Sequence, residues 1–598
     1  MDLRRRDGWV GGVLPVQRNA AVERMRRHHP DYSGSAGLVV EQNRDDRSTY
    51  PTVSRQVIRK LVDRAESRLI IITGDAGHGK TSMCLDLLED LGVSKEEARY
   101  RLQSDTRGET ELAQTSSGRP LRIIMDLSYF AQETAGKLLA DLFSADDGVT
   151  VVCANEGHLR AALSTLTHAS TSLILDILRN SDTTGRISDD DEQIVVINLN
   201  YQSVLQGFQP QSGFIAWALR DYLDDESEWS ICSQCDARDI CPILESRTQL
   251  TEPAHALRRR NSVAELFRAV EESGVVVTFR HALMLLSYSL CGGIDCSTVE
   301  GFYESGPTDR TWQYQHLYHQ AIFGDLLDDG TRSSIPAIDA ARLLDPGYTS
   351  IRSVDDRFDI ADLPRMRPPD PRTLHQSMRT SSQRRQYEES VRAVFVYMRR
   401  TAFFDADRPD ALERLGLENG DVFQDLLEGS ELTESLTMKL IGGLEAAQGI
   451  PSLPGAHPLR IVDPAFYSAQ STAAVLSREL SPGNLSVQVS PDLSNNGESD
   501  WHLVSTVEWS PRQIELVLRI PGSSHVTIPL GIIEFELLSR WSEGLSCRVQ
   551  HEEVVRNLLS HLGKVPSPPT LDSEDVRVIV NGTTLTLDFA NGRFRSWN

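Results

Sequence analysis

Eight residues, "GDAGHGKT" from Gly74 to Thr81, limit what this chain can fold into more than any other stretch. They meet the pattern G-x-x-x-x-G-K-[ST] in full, with Gly74, Gly79, Lys80 and Thr81 at its fixed positions. The apolar run "LIIIT" precedes them, and "SMCLDLLEDL", with helical apolar spacing, follows. Strand, glycine turn and helix in that order make a cradle for phosphate. The glycines let backbone N–H groups face inward, and the helix adds the positive end of its dipole. The spacing predicts a nucleotide loop over Gly74, Asp75, Ala76, Gly77, His78, Gly79, Lys80, Thr81 and Ser82. Lys80 is expected at the β- and γ-phosphates of ATP and Thr81 on Mg²⁺.

Such a loop needs a sheet behind it. From about Arg55 to Tyr201 the runs "RLIIIT", "PLRIIMDLS", "GVTVVCAN" and "EQIVVINLN" alternate with helical stretches, which indicates βαβ units around a buried, mostly parallel sheet. "LRIIMDLS" ends in Asp126, placed either to steady Mg²⁺ or to cap the turn that follows. A hydrolysing enzyme commonly carries a second acid next, and this chain has Leu127 there. Glu156 in "VVCANEGHLRAAL" is the first substitute base and Glu133 in "YFAQETAGK" the second.

Three of the eight cysteines crowd into "CSQCDARDICP", as Cys232, Cys235 and Cys241. This is no secreted disulfide framework. Thiolates at C-x2-C-x5-C can converge on one soft cation, and four ligands would close a structural zinc site. His255 is the nearest fourth ligand in sequence, with Cys291 and Cys296 as alternatives. An iron–sulfur cluster uses the same thiolates, and three reduced cysteines in a compact loop need no metal at all.

The length of 598 residues calls for several domains. The pattern divides them into an N-terminal arm or adaptor (1–54), a nucleotide-binding core (55–225), a cysteine insertion with helical lid (226–362), a helical block (363–450) and a β-rich C-terminal domain (451–598). Proline-rich "DLPRMRPPDPRT" reads as a linker, and "VRVIVNGTTLTLDF" as strands around an Asn-Gly hairpin. "LSVQVS", "WHLVSTVEWS" and "QIELVLRI" are also strand-like. A net charge of -24 argues against a surface that coats nucleic acid by bulk electrostatics. DNA contact would fall to Arg258–Arg260 or to the stretch Arg379–Arg400, each of which also reads as a solvated helix face. No apolar run approaches the roughly 20 residues that cross a bilayer, and no secretory signal opens the chain, so no membrane partner is expected and the cytoplasm is. Metalloprotease and nucleophile-elbow patterns are absent, which leaves phosphoanhydride hydrolysis.

"VTVVCANEGHLRAAL" resembles the sensor 1 strand of AAA+ ATPases. That resemblance implies that Asn155 orients the attacking water. "VVVTFRHALMLLSYSL" resembles the lid helix of the same superfamily, implying a γ-phosphate contact for Arg280. It also implies an arginine finger reaching a neighbouring subunit, for which Arg179 and Arg186 are candidates. The order of motifs over about residues 55 to 290 is that of AAA+ proteins, an α/β P-loop fold with a helical lid. With "CSQC…CPI" added, the chain looks like ATPases of prokaryotic anti-phage defence loci, and specifically like the ATPase component of DNA phosphorothioation-dependent restriction systems. The resemblance implies an oligomer that works with other defence-system proteins in restricting foreign DNA. Two activities stay open: an ATP-hydrolysing motor, or a slow nucleotide-dependent switch that recognises a partner through its C-terminal domain. A small-molecule kinase is disfavoured, since no substrate lid follows the loop.

Overall fold

A computed structural model describes residues 18–30, 50–104, 110–144, 148–165, 169–205, 213–306, 312–349, 352–356, 366–372, 380–407, 411–450, 455–466, 473–491, 501–522, 524–544, 552–566, 575–580, 583–590 and 593–597. Most of the N-terminal arm, the start of the proline-rich linker, Arg379 and the Asn-Gly turn lie outside the described residues.

The chain is mixed α/β, with one mostly parallel sheet, many helices and antiparallel sheets in its last third. The parallel sheet holds β1 (Leu69–Thr73), β2 (Ala113–Gln114), β3 (Pro120–Ile124), β4 (Val149–Ala154) and β5 (Ile194–Asn198) in the order β2-β3-β4-β1-β5. β1 lies inside the sheet between β4 and β5, parallel to both, with Ile71 opposite Val152 and Val196. Only the short edge strand β2 runs antiparallel. β1 is buried along its whole length, which explains its unbroken apolar run: a strand covered on both faces has no polar positions to alternate. Leu69 and Ile71 join one core, with Ile124, Val152 and Leu178. Ile70 and Ile72 face the other, with Leu87, Leu88, Val151 and Ile197.

The second core contains an unexpected guest. Trp501, Leu503 and Val507, about 300 residues on from β5, complete it. "WHLVSTVEWS" is therefore not a strand. Its centre is a short helix, Leu503–Val507, with Leu503, Thr506 and Val507 buried and Val504 exposed. A run this short fits alternation and helical spacing alike, and packing decided for the helix. Its backbone also extends the sheet region: Ile187 N–H donates to Trp501 O at 3.4 Å, and Leu503 N–H to Gly185 O at 3.0 Å. Residues 187–189 in turn bond to β5.

The other predicted strands form. β8 (Leu485–Val489), β9 (Ile514–Leu518) and β10 (Val526–Leu530) make one antiparallel sheet. A second holds β6 (Leu459–Val462), β7 (Ala473–Leu480), β11 (Asp575–Val580), β12 (Thr583–Ala590) and β13 (Arg593–Trp597). The helices Glu434–Ala447 and Ile532–Ser542 pack so closely that a Cβ on Gly443 would fall 2.2 Å from Leu538 O.

The apolar stretch Phe279–Ser305 has the length and composition of a membrane span, but it is two helices, Phe279–Cys291 and Cys296–Ser305. Gly292 and Gly293, both in the left-handed region, break it, and most of it lies inside the large core shared with the N-terminal helix Ala20–Arg26 and the helical block.

Candidate functional site

The nucleotide loop has the backbone its glycines allow. Gly74, Gly77 and Gly79 have φ of 138°, 105° and 80°, where side chains are disfavoured. Space excludes a side chain at Gly77 as well, since a Cβ there would stand 2.7 Å from the Cβ of Arg280. The helix Lys80–Asp90 starts directly after Gly79 with no side chain capping it, so its first N–H groups face the loop. Lys80 and Thr81 are its first two residues.

Lys80 Nζ donates to Gly74 O (2.7 Å), Asp75 O (3.0 Å) and Asn155 Oδ1 (3.1 Å). Burial lowers its pKa, and the nearby charge of Arg280 lowers it further against the opposite pull of Cys153, Asp126 and Asp75. Asn155 follows β4 directly and precedes the helix Glu156–Ser164, whose N–H groups its side chain does not cap. Its amide is directed instead at the loop lysine. Arg280 opens the helix Phe279–Cys291, and its backbone N–H donates to Gly77 O at 3.2 Å. Thr278 caps that helix by accepting from His281 N–H. The structure thus brings Lys80, Asn155, Asp126 and Arg280 to one place.

Asp126 caps the turn that follows it. Its Oδ1 accepts from Ser128 N–H at 2.8 Å, capping the turn Leu127–Tyr129, while its charge reaches Lys80. Leu127 is fully buried among Ile124, Ala135 and Leu139, so the position after Asp126 points into the core and not at the loop. Glu133 stands exposed on the first turn of the helix Gln132–Ser144.

Glu156 is held on both oxygens. Oε1 accepts from Arg160 at 2.8 Å, and Oε2 from Asn198 Nδ2 (2.8 Å) and Asn200 Nδ2 (3.1 Å). Asn200 also accepts from Asp75 N–H at 2.8 Å, tying the loop to β5. Neither asparagine was singled out by the pattern, although "INLN" at a strand end has the composition of an Asx turn, and Asn198 does accept from Asn200 N–H. His78 is buried beneath the loop. Burial pushes its imidazole down to about 3, with Arg512, Lys80 and His281 adding to the effect.

The two finger candidates are both in local ion pairs. Arg179 is exposed within the helix Ala169–Thr184, not in the loop after it, and pairs with Asp176 at 3.2 Å. Arg186 pairs with Asp190 at 2.9 Å. Of the basic clusters, Arg259 is tied to Asp405 (2.7 Å) and Arg260 to Asp224 (2.5 Å), while Arg400 is buried between Asp345 and Asp325.

Among the described residues, His255 does not form a metal-holding group with the cysteines. It precedes the helix Ala256–Glu272 and its Nδ1 lies 2.8 Å from Arg258 Nη2. Of the two alternatives, Cys296 interacts electrostatically with Cys232, Cys235 and Cys241, and Cys291 with Cys241. Burial pushes the Cys296 thiol up to about 11, with contributions from Cys232 and Cys235, and the Cys241 thiol up to about 12, with contributions from Cys296 and Cys232. Asn19 Nδ2 donates to Cys232 Sγ at 3.3 Å. These thiols are free, and among the described residues no three His, Cys, Asp or Glu side chains converge tightly enough to hold a metal ion. The donor type suits zinc; the arrangement does not close around it.

Compared with family models, with curated proteins and with solved structures, the chain matches none.

Proposed function

We propose that this chain binds ATP with Mg²⁺ on residues 74–82 and hydrolyses it, as an AAA+ type subunit of a prokaryotic anti-phage defence complex. The observation that carries the nucleotide reading is the convergence on one glycine loop of Lys80, Asn155 and Arg280, contributed by three separate elements. A lysine bonded to the asparagine that follows the neighbouring strand is suited to hold a terminal phosphate and orient water beside it. The position of β1 between β4 and β5 supports the AAA+ reading. Mg²⁺ would be held by Thr81 and Asp126, and would offset the charge developing on the phosphate. Work within an oligomer, with other defence proteins and with DNA through them, rests on the resemblance of the motifs alone.

The slow-switch reading has an observation of its own. Leu127 is in the core, and Glu156, the remaining carboxylate beside the loop, has both oxygens engaged. A general base must reach its water, so turnover requires Glu156 to leave Asn198 and Asn200.

The test is ATP binding and steady-state hydrolysis by the purified chain, with and without duplex DNA. Lys80→Ala is expected to abolish both binding and turnover. Asn155→Ala is expected to retain binding within a few-fold and lose turnover by about 100-fold. Turnover stimulated by DNA supports the motor, and tight binding without turnover the switch. No binding by the unaltered chain refutes the proposal.

A further inference from the structure

Arg512 stands far from the nucleotide loop in sequence and beside it in space. It precedes β9, the central strand of the sheet β8–β9–β10. Its guanidinium reaches across to the turn that follows β5, where Nη1 donates to Asn200 O at 2.5 Å and Nη2 to Gln202 O at 2.8 Å. An arginine spanning two carbonyls two residues apart fixes the path of that turn, because the donors of its planar fork cannot move independently.

The turn is held from other sides as well. Glu271, buried on the helix Ala256–Glu272, accepts from Ser203 Oγ (2.6 Å) and Val204 N–H (2.9 Å). Gln202 forms an antiparallel bridge with Trp509, three residues before Arg512. The free end of the construction is the Asn200 side chain, which bonds to Asp75 N–H in the loop and to Glu156. Arg512, Asn200 and the loop are thus three consecutive links.

We propose that Arg512 is a positioning residue that couples the nucleotide loop to the sheet β8–β9–β10 through Asn200. Its guanidinium donates to carbonyls of the turn after β5. It sets where Asn200 stands, and Asn200 sets the first amide of the loop and one donor to Glu156. Nucleotide binding that tightens the loop tightens the sheet, and a partner that moves the sheet alters nucleotide affinity by the same factor, as linkage requires. The inference rests on the loop being a nucleotide site and adds the route by which the C-terminal half senses it.

The experiment compares the full chain with Arg512→Gln, Arg512→Lys, Asn200→Ala and the double variant Arg512→Gln/Asn200→Ala. ATP affinity is measured by calorimetry with Mg²⁺, and amide exchange over 485–530 is followed with and without ATP. In the unaltered chain ATP is expected to slow exchange over β9 and β10. Arg512→Gln and Asn200→Ala are each expected to weaken ATP binding by about 5- to 10-fold and to abolish that slowing. The double variant should be no weaker than either single one, since both break the same series of links. Arg512→Lys, which restores the charge and one donor, should recover part of both signals.

An unaltered chain that binds no ATP overturns the nucleotide reading and this inference with it. An unaltered chain that binds ATP, beside an Asn200→Ala variant with the same affinity and the same slowing, overturns this inference alone. Asn200→Ala leaves Arg512 in place, so it decides the matter even where Arg512→Gln fails to fold.

Discussion

Gly77 shows how a single residue can be fixed by two independent constraints. Its φ of 105° disfavours any side chain, and a Cβ would press on Arg280 Cβ and on Thr278 Oγ1 at 2.8 Å. Gly77→Ala should therefore destabilise the chain by about 1–3 kcal/mol and push Arg280 off the loop, lowering both melting temperature and ATP affinity. Histidines set the acid limit. Burial pushes His78 and His319 down to about 3 each, far below an unfolded imidazole. Between those values the unfolded chain binds the additional protons, so their stabilisation is complete above about pH 6.5 and declines as pH falls towards 3. Burial raises Glu272 and Glu508 to about 7, and these act in the opposite sense, losing stability as pH rises from about 4.5 to 7 and so offsetting the histidines in that window. Measured from about pH 7 to pH 4, the denaturant midpoint of His319→Gln should therefore drop less than that of the unaltered chain over the same range. Residue identity alone made Lys80 and the glycines legible, because their pattern is local. Arg512 and Asn200 were not legible, since nothing near either residue records a bond between positions 312 apart.

At the scale of elements the strands with β-branched runs were plain to read, and so were helices with clear caps, such as Phe279–Cys291 between Thr278 and Gly292. The stretch Leu503–Val507 was not, because its helical face shows only once Leu503, Thr506 and Val507 are seen buried together. The cysteine cluster was legible in the sequence, but the influence of Cys296 on it was not, since Gly292 and Gly293 break the chain between the helices Phe279–Cys291 and Cys296–Ser305.

For the molecule as a whole, five segments could be drawn on the sequence from shifts in composition, but they do not correspond to five separate bodies. Trp501, Leu503 and Val507 belong to the core of the parallel sheet, while the N-terminal helix Ala20–Arg26 lies in a core shared with the lid and the last third of the chain. Arg24 in that helix pairs with Asp221 at 2.5 Å and Glu228 at 2.8 Å. Truncation at residue 450 should therefore not yield a stable ATP-binding fragment. Removing Leu503 alone from its buried position is the kind of loss that costs about 2–5 kcal/mol. The expected outcome is an aggregating fragment or one with no calorimetric ATP signal, and a monodisperse fragment that binds ATP as the full chain does would contradict it. The pairing of residues 185–187 with 501–503 bears also on how the chain is made. Those backbone groups emerge during synthesis roughly 300 residues before their partners, a delay of about 15–60 s at ordinary elongation rates. Until then the half-built sheet region offers an open edge, and a cell producing this protein must keep nascent chains on neighbouring ribosomes from meeting there.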